Sequence, residues 1–312
     1  MIVTGLDRRS RPPGARFSEW RAPDGWMLRR MAWPQPEGAE PRGTLVFAGG
    51  RADFIEKYLE PLGHWHARGW HIVSFDWRGQ GHSRGELIGG NFTDFDPLVA
   101  DAAALLDDVI AASPGPHVAV MHSMGGHILL RVLAERQPAL AAAVLVAPML
   151  AINTAPTPSW AGRLLARSLC RLGLTDARAW RETGPVSPSG RIRQKNLTGC
   201  DQRFADELWW KSEEPGFHLG PPSWGWLDAA FRSTSRHDRA ALAQVRTPVL
   251  LLGTDRDRLV SPRAIRRAAS LLPTAELRMF DGAAHELLRE TDAVRLQALA
   301  AIDAFFDRHA AS

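Results

Sequence analysis

Apolar and polar positions follow two rhythms along this chain, and the switches between them mark out its elements. Short, largely apolar runs read as buried strands: Thr44-Leu45-Val46-Phe47, His71-Ile72-Val73-Ser74-Phe75, Val118-Ala119-Val120-Met121, Ala142-Ala143-Val144-Leu145-Val146-Ala147 and Pro248-Val249-Leu250-Leu251-Leu252-Gly253. Between them the spacing turns helical. Phe54, Tyr58, Leu59 and Leu62 share one face, as do Leu98, Ala102, Leu105, Leu106 and Ile110 within 97–112. Helices are also predicted after Ser123 up to 136, where Pro138 stops the run, over 262–272 and over 293–308, with a further strand at 276–280. Near the start, Phe17 to Trp20 and Trp26 to Arg30 read as two strands around a Pro23-Asp24-Gly25 turn.

Strands that are apolar throughout and separated by helices require a sheet covered on both faces. The expected fold is therefore α/β, a doubly wound, mostly parallel sheet. The alternation stops between Pro148 and about Arg246, where Pro, Trp and Arg residues carry helical patches but no comparable strand. This predicts a core made of 15–148 and 246–312, interrupted by a helical insertion over 149–245. Residues 1–14, rich in Arg and Pro, are expected to be loose.

With 312 residues, 45% of them apolar, the chain can bury a substantial core. No apolar run approaches the roughly 18–20 residues that span a bilayer, and Met1 to Pro13 lacks the apolar segment of a signal peptide, so a cytoplasmic location is expected. Cys170 and Cys200 show neither a disulfide framework nor metal-ligand spacing. The net charge of +4 rests almost wholly on arginines scattered among 34 acidic residues, which argues against nucleic acid as a partner. No metal is expected either, because His64 and His66 lie two apart in a helical region and do not share a face.

Candidate chemistry sits at the ends of the predicted strands, where ligands bind in such sheets. Val118 to His122 runs directly into Ser123, then Met124-Gly125-Gly126 and a helix, which is a strand, a tight turn and a helix with serine at the corner. A full G-x-S-x-G would place glycine where Met121 stands. A serine needs a base, and the base needs an orienting partner. After the 248–253 strand come Asp255 and Asp257; after the 276–280 strand comes His285. Each residue alone is weak, since a serine before glycines is usually a turn and an aspartate after a strand usually a cap. Their order, Ser then Asp then His, at the strand ends of one presumed sheet, points to a catalytic triad of the α/β-hydrolase arrangement. Both aspartates remain open at this point.

His122-Ser123-Met124-Gly125-Gly126, Asp76-Trp77-Arg78-Gly79-Gln80-Gly81-His82-Ser83, Asn196-Leu197-Thr198 and His285-Glu286-Leu287-Leu288-Arg289-Glu290 together resemble the lysophospholipase/monoacylglycerol lipase group of serine α/β-hydrolases. The segment Gly50 to Tyr58 is similar to that of its bacterial lysophospholipase branch. The resemblance spans about 15–308 and is weakest in the insertion, which it implies is a helical cap. It implies Ser123 as nucleophile, His285 as general acid and base, and Asp257 as the acidic partner, with Asp255 the competing choice. It also implies an oxyanion hole made by the backbone N–H groups of Met124 and Gly50, although Ala48-Gly49 replaces the His-Gly of many relatives. No cofactor is implied, and a small ester or single-chain lipid, a lysophospholipid or monoacylglycerol, is the expected substrate.

Several other residues are expected to be structural: Asp76 and Arg78 holding their loop, and His122 and His127 packing or capping. On the insertion, Trp160, Leu164, Leu165, Leu169 and Leu172 oppose Arg163, Arg167 and Arg171. This reads as an amphipathic cap helix with a solvated basic face; an interfacial helix giving peripheral contact with anionic lipid is the sharper alternative. Trp209, Trp210, Trp224 and Trp226 suit either a cap core or an acyl-binding wall. A short-chain esterase or peptidase of the same fold, or a non-catalytic binding protein, are the competing functions.

Overall fold

A computed structural model describes residues 6–87, 90–181 and 187–311. Its strands are β1 (Arg16–Arg21), β2 (Met27–Trp33), β3 (Gly43–Ala48), β4 (Trp70–Phe75), β5 (His117–His122), β6 (Ala142–Val146), β7 (Val249–Thr254) and β8 (Ala275–Phe280). They form one eight-stranded sheet in the order β1-β2-β4-β3-β5-β6-β7-β8. β1 and β2 pair antiparallel, as do β2 and β4, and every other pairing is parallel. The expected doubly wound sheet is present, with an antiparallel hairpin added at one edge. Ala22 and Gly25 close that hairpin, Gly25 at a φ of +91° that favours glycine.

The period of two along the central strands divides the core. Val46, Ala48, Ala119, Met121, Ala143 and Leu145 face one layer, shared with helices α2 (Asp96–Ala112), α3 (Met124–Glu135) and α9 (Pro262–Leu271). Leu45, Phe47, Val118, Val120, Val144 and Leu250 face the other, shared with α1 (Leu59–His66) and α10 (Asp292–His309). Each strand is therefore apolar throughout because it is covered twice.

Between β6 and β7 the chain leaves the sheet and forms α4 (Ser159–Arg171), α5 (Pro188–Leu197), α6 (Asp201–Glu213), α7 (Trp224–Thr234) and α8 (Arg239–Ala243). The α4 helix keeps Arg163, Arg167 and Arg171 exposed, as a solvated basic face requires, but its apolar side is exposed as well: Ala166 is its one buried residue, while Trp160 is 69% exposed, Leu164 57% and Leu165 51%. Most of the apolar stripe is therefore open to solvent or to a cavity instead of packed inward, because α4 rests on α7 through its small residues; Gly162 meets the Phe231 ring.

The expectation of a loose N-terminal segment is corrected for its described part, residues 6–14. Arg8 and Arg9 each bind Asp206 of α6, at 2.6 and 2.8 Å, and Arg11 binds Glu56 at 2.9 Å and Glu214 at 3.2 Å. The Trp210 indole donates to the Arg8 carbonyl at 2.8 Å. An Arg- and Pro-rich stretch reads as loose when its acidic partners lie far away in sequence, and here Asp206 and Glu214 come from the insertion and Glu56 from the core. Among the described residues no helix is long and apolar enough to cross a membrane.

Candidate active site

Ser123 stands where β5 passes into α3, with φ +52° and ψ −115°, a conformation that L-residues rarely adopt. The corner is held from both sides. The Ser123 N–H donates to the Val146 carbonyl of β6 at 2.9 Å, and the Ser123 carbonyl accepts from His127 at 3.0 Å and Met149 at 2.9 Å. Glycine is required at positions 125 and 126. A Cβ on Gly125 would lie 2.5 Å from the Gly49 carbonyl oxygen, and one on Gly126 would lie 2.9 Å from Pro148. Position 121, by contrast, needs no glycine: the Met121 side chain is wholly buried in the core layer beneath the sheet and does not border the cavity described below.

The Ser123 hydroxyl donates to His285 Nε2 at 2.9 Å, and His285 Nδ1 donates to Asp257 Oδ2 at 2.6 Å. Asp257 is fixed in turn, because its Oδ1 accepts from the Leu259 and Val260 N–H groups at 2.8 and 2.9 Å. Burial would raise its carboxyl, but the His285 ring and those two N–H groups outweigh burial and hold it below the usual carboxylate range. Burial would likewise lower His285, yet Asp257 beside it raises its pKa above 6.5. Asp255 points away and binds Arg266 on α9 at 2.6 Å. A hydroxyl bonded to an imidazole whose far nitrogen is held by a carboxylate can lose its proton as it attacks a carbonyl.

Gly50 and Met124 flank the hydroxyl. A Cβ on Gly50 would sit 2.8 Å from that of Ser123, so this backbone touches the serine directly. The Met124 N–H donates to no group among the described residues. The Gly50 N–H is engaged: it donates to Asp53 Oδ2 at 2.6 Å, a carboxylate that also accepts from Tyr58 at 2.9 Å and Lys57 at 2.6 Å. The Gly50 loop is braced from below by 76–83. The Trp77 indole donates to the Gly49 carbonyl at 2.8 Å, and Gln80 Oε1 accepts from Ala52. Asp76 binds Arg29 at 2.8 Å and accepts from the Ile55 and His82 N–H groups, while Arg78 binds Asp24 and Asp101, so neither faces the cavity.

Behind Asp53 lies a buried ionic network absent from the sequence reading. Lys57 Nζ binds Asp53 and Glu286 at 2.6 Å each and Glu207 of α6 at 3.1 Å; Arg289 binds Glu207 at 3.1 Å and also reaches Glu286. Its one legible sign is a set of charges at 53, 57, 286 and 289 embedded in apolar stretches. The loop bearing His285 is tied to the insertion as well, since the His285 and Glu286 N–H groups donate to the Asn196 and Leu197 carbonyls at 3.2 and 2.8 Å.

His122 packs its ring 4.7 Å from that of His285, and burial, then the His285 charge, push it down to about 4, so it stays neutral. His127 is bonded to Ser233 and His237 at 2.7 Å each. His64 binds Asp303 at 2.8 Å and His66 stacks on Trp33 at 3.8 Å, so the two diverge. The tryptophans separate too: Trp224 and Trp226 wall the cavity, whereas Trp209 and Trp210 pack edge to face near the N-terminal segment.

A cavity of about 460 Å³ opens over Ser123 and His285. Met149, Ile152, Leu165, Leu197, Leu227 and Phe231 give it apolar walls. The carboxylates on its wall, Asp53 and Glu286, are both bound to Lys57.

Residues 39–292 match the family model described as "Serine aminopeptidase, S33". Lysophospholipase L2 of Escherichia coli strain K12 is 30% identical over 286 residues, spanning 85% of this chain and 81% of that protein. Human monoglyceride lipase is 26% identical over 273 residues, spanning 86% and 82%. A soluble variant of monoglyceride lipase from Saccharomyces cerevisiae shares the fold, with a TM-score of 0.75 at 16% identity, covering 98% of this chain and 99% of that one. The chain belongs to the serine aminopeptidase S33 family and is a hydrolase of the α/β-hydrolase fold.

Proposed function

We propose that the chain hydrolyses the carboxylic ester of a single-chain lipid, a lysophospholipid or a monoacylglycerol, through an acyl-enzyme. The observation that carries this reading is the Asp257–His285–Ser123 relay opening directly into an apolar cavity. Ser123 Oγ attacks the ester carbonyl as His285 Nε2 takes its proton, and Asp257 stabilises the imidazolium that forms. The oxyanion accepts from the Met124 N–H and from the Gly50 N–H, which Asp53 must release, keeping its bonds to Lys57 and Tyr58. His285 returns the proton to the leaving alcohol. Water then attacks the acyl-enzyme with His285 as base, and the fatty acid departs. Because Asp53 and Glu286 are engaged with Lys57, the wall favours an acyl chain over the ammonium of a peptide substrate.

The insertion over 149–245 serves in this reading as a cap, with Trp224, Trp226 and Leu227 of α7 covering the acyl chain. Its outward α4 stripe, continued by Leu172 at 75% exposure and flanked by Arg167 and Arg171, suits peripheral contact with an anionic membrane on the cytoplasmic side.

A fluorophosphonate probe tests the chemistry. Wild-type protein should be labelled and Ser123→Ala protein should not; labelling in neither, or equally in both, rejects the mechanism. A series of monoacylglycerols, lysophospholipids and p-nitrophenyl esters tests the substrate, and a preference for acetyl over long acyl chains rejects the lipid assignment.

A further inference from the structure

A second cavity, of about 670 Å³, lies among α4, α7, α8 and α9. Ile152 and Phe231 line both cavities and so form the partition between this one and the catalytic cavity. Its floor is apolar, formed by Leu150, Leu242 and Ala268, all buried. Its rim is cationic. Arg163 comes from α4, and Arg263 and Arg267, four residues apart on one face of α9, stand across from it.

Among the described residues none of these three guanidiniums makes an ion pair or a side-chain hydrogen bond. The contrast on the same helix is direct, since Arg266 is neutralised by Asp255. The lining holds one carboxylate, Asp238, whose Oδ1 is occupied in capping α8 through the Ala241 N–H at 2.9 Å. His237 adds no charge near neutrality: burial, then the nearby Arg131 cation, hold it down to about 3.

A concave surface lined by charges of one sign concentrates the opposite charge, and the planar fork of arginine pairs with carboxylate or phosphate through two hydrogen bonds. An apolar floor beneath such a rim complements a molecule with one alkyl chain and one anionic head. We propose that this groove is a second lipid site, separate from the catalytic cavity, that takes a single-chain amphiphile with a carboxylate or phosphate headgroup through Arg163, Arg263 and Arg267. The assignment rests on the proposed ester hydrolysis for its biological sense, because that reaction releases a fatty carboxylate on the other side of the Ile152–Phe231 partition. A neutral glyceride offers the rim no charge and belongs in the catalytic cavity alone.

Calorimetric titration of Ser123→Ala protein with laurate, 1-lauroylglycerol 3-phosphate and monolaurin, each below its micellar concentration, tests this. Both anionic lipids should fill two sites and monolaurin one. Adding Arg263→Ser and Arg267→Ser should weaken the second anionic site at least tenfold and leave monolaurin unchanged, and the matching lysine pair should restore part of the loss. Comparing the losses for laurate and for the phosphate lipid tells which headgroup the rim prefers. Identical anionic isotherms before and after the serine substitutions overturn the proposal, as does monolaurin filling both sites. Unchanged laurate binding with lost binding to phosphatidylglycerol vesicles also overturns it, because the arginines would then serve a membrane face. The two readings fail separately: absent fluorophosphonate labelling of wild type rejects the hydrolase, whereas a laurate isotherm insensitive to the arginines rejects only the second site.

Discussion

The Gly50 N–H donates to Asp53 Oδ2 at 2.6 Å while the Gly50 backbone lies against Ser123. In the proposed mechanism an oxyanion at Ser123 must therefore displace a carboxylate that is itself ionised: burial opposes its charge, but Lys57 outweighs burial and keeps it below the usual range. Hydrogen bonds to charged acceptors contribute about 1.5–3 kcal/mol against about 0.5–1.5 for neutral ones. Asp53→Asn should thus weaken the competition by about 1 kcal/mol and raise kcat about fivefold. Stopped-flow acylation with a p-nitrophenyl ester measures it; a tenfold fall in a variant of unchanged thermal midpoint shows that Asp53 helps the reaction instead.

The two aspartates after β7 should separate cleanly. Asp257→Asn keeps the shape but takes the carboxylate from His285, and comparable substitutions in serine hydrolases cost about 10⁴ in kcat. Asp255→Asn loses only an exposed pair with Arg266, and exposed pairs contribute about 0–1 kcal/mol, so turnover should stay close to that of wild type. Steady-state kinetics of both variants decides the matter, and a large loss in Asp255→Asn alone would reverse the assignment.

The pH dependence follows from His285. Its neutral form is the base in the proposed mechanism, and Asp257 raises its pKa above 6.5 despite burial. The acid limb of kcat/KM should therefore have its midpoint above 6.5, and Asp257→Asn should move what activity remains to lower pH. Stability runs the opposite way here: a raised histidine stabilises the fold below its unfolded pKa, and that contribution fades as pH rises through the folded one. Asp257, held below 3.8, stabilises above that value and ceases to do so as pH falls through its folded pKa. A limb centred below 6.5 would contradict this arrangement.

Glu207 gathers four cations, Lys57, Arg193, Lys211 and Arg289, at 3.1, 2.9, 2.6 and 3.1 Å, and joins α6 to the core. Removing one partner from a buried ionic cluster typically costs about 3–5 kcal/mol, because the remaining charges lose their counter-ion without regaining water. Glu207→Gln should lower the urea midpoint accordingly at an unchanged slope. A shift of under about 1 kcal/mol would mean that the cations have found water or other partners.

Met121, the departure from the usual serine-corner motif, should matter for stability and not for substrate choice. Its side chain is fully buried in the core and absent from the cavity lining. Met121→Ala should cost about 2–5 kcal/mol and leave acyl-chain preference alone. Altered chain-length preference at unchanged stability would place the side chain in the acyl path.

How much of this was legible in the sequence depends on how local each cause is. Period-two and helical apolar patterns marked the parallel sheet and its helices, because every central strand is covered on both faces and must be apolar throughout. Ser123, Asp257 and His285 could be gathered from the order in which strand ends present them. Choosing between Asp255 and Asp257 was different. Two residues apart, they point opposite ways because the turn after β7 directs Asp257 onto the Leu259 and Val260 N–H groups and Asp255 out to Arg266. The bond from Gly50 to Asp53 needs a loop with Ala52 at φ +65°, which its spelling does not announce. The N-terminal arginines read as loose and the four tryptophans as one set, since partners contributed by distant segments set each of these. Apolar periodicity reports that a face is covered or wants to be. Which surface covers it, which carboxylate turns inward and which arginines are left without a counter-ion are settled only when remote segments are brought together.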